Sequence, residues 1–161
     1  GTLEAFRRSG VEVKTKLVTP LTRRSAPPAA TGLRSEQGVY YLARLSVMKD
    51  GPVLLEDLYL SPSVFPRLER FNLSGRSLSE LVQDHYHLEP VGGRQAFRVG
   101  ALAAERARLL GVTARTPLLF VERSVDFAGA PGALFAQMAC RTDLCAFSQT
   151  LSPQPAEAQN A

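Results

Sequence analysis

Arg44, Glu56 and Ser77 are the residues whose types and spacing combine into usable chemistry. Arg44 and Glu56 flank Asp50-Gly51, a dipeptide whose tolerance of positive φ favours a tight hairpin turn. Antiparallel pairing about that turn makes the two near neighbours across a hairpin. Ser77 stands three residues before Glu80, the spacing of a capping box. It therefore opens a helix whose free amides and dipole suit an anion. Together the three could hold a carboxylate or phosphate and a hydroxyl of one ligand. A cross-strand salt bridge beside an ordinary N-cap meets the same spacing, and spacing alone favours that plainer arrangement.

Catalytic chemistry leaves no comparable trace. The sequence has no Ser or Cys nucleophile elbow, no metal-spaced histidine pair, no phosphate-cradling glycine loop and no obvious carboxylate dyad. Gly92-Gly93 is a glycine pair expected in a turn, without the flanking pattern of a nucleotide site. His85 and His87 would diverge on a helix, so a helix-end or surface role fits them better than metal ligation. Cys140 and Cys145 are the only cysteines, expected on a strand and just past it. Two thiols cannot close a zinc site alone, so both read as free. No catalytic residue, metal or cofactor is assigned, and the chain is not read as an enzyme.

The elements that must position these residues follow from periodicity and punctuation. Leu3 to Ser9 has the spacing of a short amphipathic helix stopped by Gly10, and Val11 to Val18 reads as a strand. Pro20, Pro27 and Pro28 then exclude regular sheet pairing. Val39–Lys49 and Pro52–Leu60 form the hairpin, with Tyr40, Leu42, Arg44 and Ser46 on one face and Tyr41, Ala43, Leu45 and Val47 on the other. Val64–Phe71 predicts a short helix, Ser77–Tyr86 a longer one, Arg94–Val99 a strand and Ala101–Leu110 a helix ended by Gly111. Pro117–Phe127 and Leu134–Arg141 make a second hairpin around Ala128-Gly129-Ala130-Pro131. Hairpins separated by helices give an antiparallel α+β architecture.

Composition bounds the class. A chain of 161 residues with 45% hydrophobic and 21% charged residues supports one globular domain. No apolar run reaches the roughly 18 residues of a membrane span, so no membrane partner is expected and the chain reads as cytoplasmic. The net charge of +4 raises nucleic-acid binding. However, the basic residues of the first quarter lack the aromatic platforms that stack bases, and they read as a solvated face. The tail after Ser148 has too little apolar content to pack and is expected to be disordered.

The sequence also resembles the UTRA effector domain of HutC-subfamily GntR transcription regulators. The resemblance runs through Val39-Tyr40-Tyr41-Leu42-Ala43-Arg44-Leu45, Asp50-Gly51-Pro52-Val53 and Leu54-Leu55-Glu56-Asp57-Leu58-Tyr59-Leu60. It continues through Phe65-Pro66-Arg67-Leu68, Ser77-Leu78-Ser79-Glu80-Leu81, Leu109-Leu110-Gly111-Val112, Thr116-Pro117-Leu118-Leu119, Val121-Glu122-Arg123 and Cys140-Arg141-Thr142-Asp143. It implies a chorismate-lyase-like antiparallel sheet flanked by helices, spanning 11–147, with 1–10 as the end of a linker from an N-terminal winged helix-turn-helix and 148–161 as the tail. It further implies a homodimer that meets DNA only through that other domain. The family's ligand pocket uses an arginine, a glutamate and a serine matching Arg44, Glu56 and Ser77, which shifts the reading from salt bridge to effector site.

Departures bear on the ligand. Ser79 and Cys140 fall where phosphosugar-binding members often place tyrosines, Leu134 falls near a usual glutamate, and Arg98 replaces an acid. The extra arginine points to a small anionic effector. The function expected is ligand sensing and dimerisation in a regulator, a repressor in the leading reading. The alternatives are a chorismate-lyase-like enzyme, or a structural dimerisation module whose pocket is occluded by Phe97, Phe135 or Met138.

Overall fold

The hairpin around Arg44 and Glu56 sits in the middle of a single sheet. In a computed structural model, which describes residue 10 and residues 12–153, its strands are β2 (Val39–Met48) and β3 (Gly51–Leu60). The turn falls one residue earlier than the sequence predicts. Lys49 and Asp50 make it, Gly51 already pairs with Met48 at φ 122°, and a register shift between Ser46 and Val47 then sets Arg44 opposite Glu56. Glycine is the residue that reaches such a φ without strain.

The second hairpin joins β5 (Leu118–Phe127) to β6 (Ala130–Cys140). Its turn is Ala128-Gly129, with Gly129 at φ 72°, so β6 begins four residues before the predicted Leu134. Pro131 is accommodated because the ladder is irregular beside the turn, between Val125 and Phe127. β3 and β6 pair antiparallel and unite the hairpins.

β1 (Lys14–Arg24) and β4 (Pro90–Gly100) are the edges of the resulting six-stranded antiparallel sheet, ordered β1-β2-β3-β6-β5-β4. The strand expected to stop at Pro20 runs through it. Proline has no N–H to give a ladder, but β1 is an edge strand and its register shifts twice between Leu17 and Thr22, so the missing donor falls in an irregular stretch. Gly92-Gly93 is likewise in β4 rather than in a turn. A Cβ on Gly93 would stand 2.3 Å from the Ser124 carbonyl oxygen, so the close approach of β4 to β5 demands glycine there.

Helices cover both faces, as the α+β class requires. α1 (Leu78–Tyr86) starts at Ser77, whose Oγ accepts from the Glu80 N–H at 3.5 Å. Leu78, Leu81 and Val82 recur at helical spacing and pack on Leu42, Leu58, Phe65, Phe127 and Ala136. Burying each such side chain contributes about 1.5–3 kcal/mol. α2 (Ala104–Leu109) is shorter than the predicted Ala101–Leu110 and leads into Leu110, which packs with Leu45, Leu55, Leu118 and Phe120 on the opposite face. The helix predicted over Val64–Phe71 reduces to a 3-10 turn at Leu68–Arg70. Another such turn spans Ala29–Thr31.

Residues 148–153 form no regular element. The helix predicted at Leu3–Ser9, the start of the first strand at Val11 and the tail from residue 154 lie outside the described residues. Among the described residues, no helix is long and apolar enough to cross a membrane.

Candidate functional site

Strand alternation puts Arg44 on the α1 side of the sheet, with Ser46 beside it and Glu56 across from it. A cavity of about 430 Å³ opens there, roofed by the first turn of α1 and walled by β4 and β5. That volume lies within the range of small-molecule sites. Phe97, Phe135 and Met138 do not line it, so the pocket is not occluded as the structural-module alternative requires.

Arg44 is 7% exposed. Its Nε and Nη2 donate to the same Glu56 oxygen, Oε2, at 3.0 and 2.6 Å, while Nη1 donates to the Arg76 carbonyl at 3.1 Å. The guanidinium thus ties the hairpin to the residue that leads into α1. Charge neutralisation and satisfied donors make its burial tolerable. Glu56 Oε1 takes no hydrogen bond from the described residues, and it remains as an acceptor beside the cavity. Ser77 is buried at the helix cap, and Ser79 is exposed at the cavity wall one residue into the helix.

Four of the six predicted site residues, Arg44, Glu56, Ser77 and Ser79, therefore meet at one cavity. Arg98 and Cys140 do not. Arg98 pairs in register with Phe120, and that parity sends its side chain to the opposite face of the sheet. There its Nη2 is 2.9 Å from Glu122 Oε1 and its guanidinium lies 5.1 Å from the Phe120 ring centre. Cys140 does lie on the cavity side by alternation, but at the far end of β6. It is packed among Val53, Leu54, Val121 and Met138 and covered by Leu144 and Phe147. Burial pushes its thiol up to about 12, so it is a neutral core residue. Cys145 is also a free thiol.

The cavity holds residues that motif reading did not assign. Arg123 and Gln95 face each other across β5 and β4, with Arg123 Nε donating to Gln95 Oε1 at 2.8 Å, and both line the wall opposite Arg44. Alternation counted from the middle of the sheet would have found Arg123, because it aligns with Ala136, Leu58 and Leu42 on one face. That count needs the strand order, which no local motif supplies. Among the described residues, no cluster of histidine, cysteine and carboxylate side chains suits a metal.

A cavity of mixed apolar and charged lining, sunk between a six-stranded antiparallel sheet and a capping helix, defines a chorismate-lyase-like α+β domain built around a small-molecule-sized pocket. Residues 8–145 match the UTRA domain model, and the chain belongs to the UTRA domain family. Solved structures agree on the fold. The ligand-binding domain of a protein assigned to the GntR-family transcriptional regulators from Bordetella bronchiseptica shares 26% identity at a TM-score of 0.76, over 88% of this chain and 91% of that one. The effector domain of PhnF from Mycobacterium smegmatis shares 20% identity at a TM-score of 0.84, over 95% of each chain. The crystal structure of PhnF from the same organism matches at 21% identity and a TM-score of 0.83, over 94% of this chain and 68% of that one. No curated protein matches the chain in sequence.

Proposed function

We propose that this domain is the effector-sensing and dimerising part of a HutC-type GntR transcription regulator, and that its effector is a small molecule bound in the cavity around Arg44 and Glu56. The observation that carries the reading is the joining of Arg44, Glu56, Ser77 and Ser79 at one open cavity in a chain of the UTRA family. The regulator meets DNA through a separate winged helix-turn-helix domain, represses its target genes and works in the cytoplasm as a homodimer. Two similar structures, the ligand-binding domain from the GntR-family transcriptional regulators and the effector domain of PhnF, support the assignment.

Sensing requires the effector to bind two arrangements of the regulator unequally, since a ligand with equal affinity for both shifts nothing. The geometry offers a means. Arg44 bonds the carbonyl of Arg76, immediately before the Ser77 cap, so a ligand that draws the guanidinium or Glu56 toward itself also moves the start of α1. The domain acts by this displacement, with the Arg44–Glu56 pair as the linkage between ligand and helix.

The test uses the whole regulator purified under native conditions. Small molecules released from it on denaturation are identified by mass spectrometry, then titrated against the regulator bound to its operator. Operator affinity is expected to change at least about fivefold, the lower end of ordinary allosteric coupling. If no released or candidate metabolite changes operator affinity, the reading is wrong.

A further inference from the structure

Resting on that functional reading, we infer that Arg123 is the anion-binding residue of the cavity, and that the effector carries a carboxylate or phosphate at one end and a hydrogen-bond donor at the other.

The two cationic sides of the cavity differ in their state of compensation. Arg44 spends its charge on Glu56 in a nearly buried pair. Arg123 is half-buried on the cavity wall, its Nε bond goes to the neutral Gln95 oxygen, and among the described residues it is in no ion pair. The neighbouring acid, Glu122, is turned to the other face by strand alternation, where it pairs with Arg98. The carboxylate that lines the cavity, Glu56, is already paired with Arg44, so the partly desolvated Arg123 guanidinium is costly until an anion arrives, and its planar fork suits a carboxylate or phosphate.

The other end is set by Glu56, whose Oε1 is left to accept from a hydroxyl or amine. Glu56 on β3 and Arg123 on β5 are separated by β6 alone and offset by two residues along it, level with Met138 and Ala136 respectively, so their backbones stand ~12 Å apart at the usual strand spacing and rise, with both side chains on one face. That span suits a short, extended molecule polar at both ends. The anionic character expected from Arg98 is thus recovered from a different arginine.

The folded chain tests this with three probes of similar length. 4-Aminobutyrate carries a carboxylate, O-phosphoethanolamine a phosphate, and butylamine neither. Affinities are read by NMR titration for the wild type, Arg123→Gln, Arg123→Lys and, as a control on the opposite face, Arg98→Gln. We expect at least one anionic probe to bind about tenfold or more tightly than butylamine. That advantage should vanish in Arg123→Gln, persist in part in Arg123→Lys and be unchanged in Arg98→Gln. The probe that wins identifies the anion, and Arg123→Lys decides the matter if Arg123→Gln does not fold. Equal binding of butylamine, undiminished anion binding in Arg123→Gln, or no binding of either anionic probe overturns the assignment. None of these touches the operator experiment, which uses the cell's own small molecule and fails or succeeds separately.

Discussion

Arg44 and Glu56 meet through a single carboxylate oxygen, with Nε and Nη2 of the arginine at 3.0 and 2.6 Å from Oε2. The pair closes one side of the cavity, satisfies the charge of a nearly buried guanidinium and leaves the second carboxylate oxygen for a ligand.

Removing one partner strands the other. Arg44→Ala leaves the Glu56 carboxylate in a largely buried site without its counter-ion, and the expected loss is about 3–5 kcal/mol in urea unfolding. The double replacement Arg44→Met with Glu56→Leu removes both charges and should lose clearly less. Equal stability of wild type and Arg44→Ala would show that the pair does not matter to the fold.

The opposite face of the sheet carries a pH response. The Tyr41 hydroxyl donates to Asp57 Oδ1 at 2.6 Å, and burial first, then this bond, push the phenol up to about 12. A group whose pKa is raised on folding contributes its stability below the unfolded value near 10, and that contribution is lost as pH climbs through 12. Stability should therefore fall from pH 10 to pH 12, and Tyr41→Phe should flatten that decline. Parallel pH curves for the two proteins would contradict it.

Thiol labelling separates core from surface. Cys140 is fully buried with its thiol pushed up to about 12, whereas Cys145 is half-buried. Ellman's reagent at pH 8 is expected to modify Cys145 first and Cys140 only on unfolding, since the thiolate is the reactive species. Rapid native labelling of Cys140 in Cys145→Ser would place it at the cavity after all.

The legible parts of the sequence were those governed by neighbours in the chain. Asp50-Gly51 and alternation on either side put Arg44 near Glu56, and Ser77 with Glu80 marked the start of α1. Arg98 and Arg123 were not separable in this way. Which face each occupies depends on how β4 and β5 join the rest of the sheet, a long-range relation that no spacing reveals. Cys140 shows the same limit: alternation gives its side of the sheet, but Leu144 and Phe147 decide that it is covered. Pro20 was misjudged because an edge strand tolerates what a central strand does not.

The central claim is that ligand binding in this cavity controls the regulator. Ala136 lines the cavity floor and also packs under α1, so Ala136→Phe fills the cavity, and an unchanged urea midpoint is required of the variant before its response is read. The decisive measurement is operator affinity of the whole regulator with and without its co-purified small molecule, in wild type and in Ala136→Phe. Operator binding by the variant without the small molecule should be unchanged, and its response to the small molecule should be lost. A response as large in Ala136→Phe as in the wild type would show that the small molecule acts elsewhere.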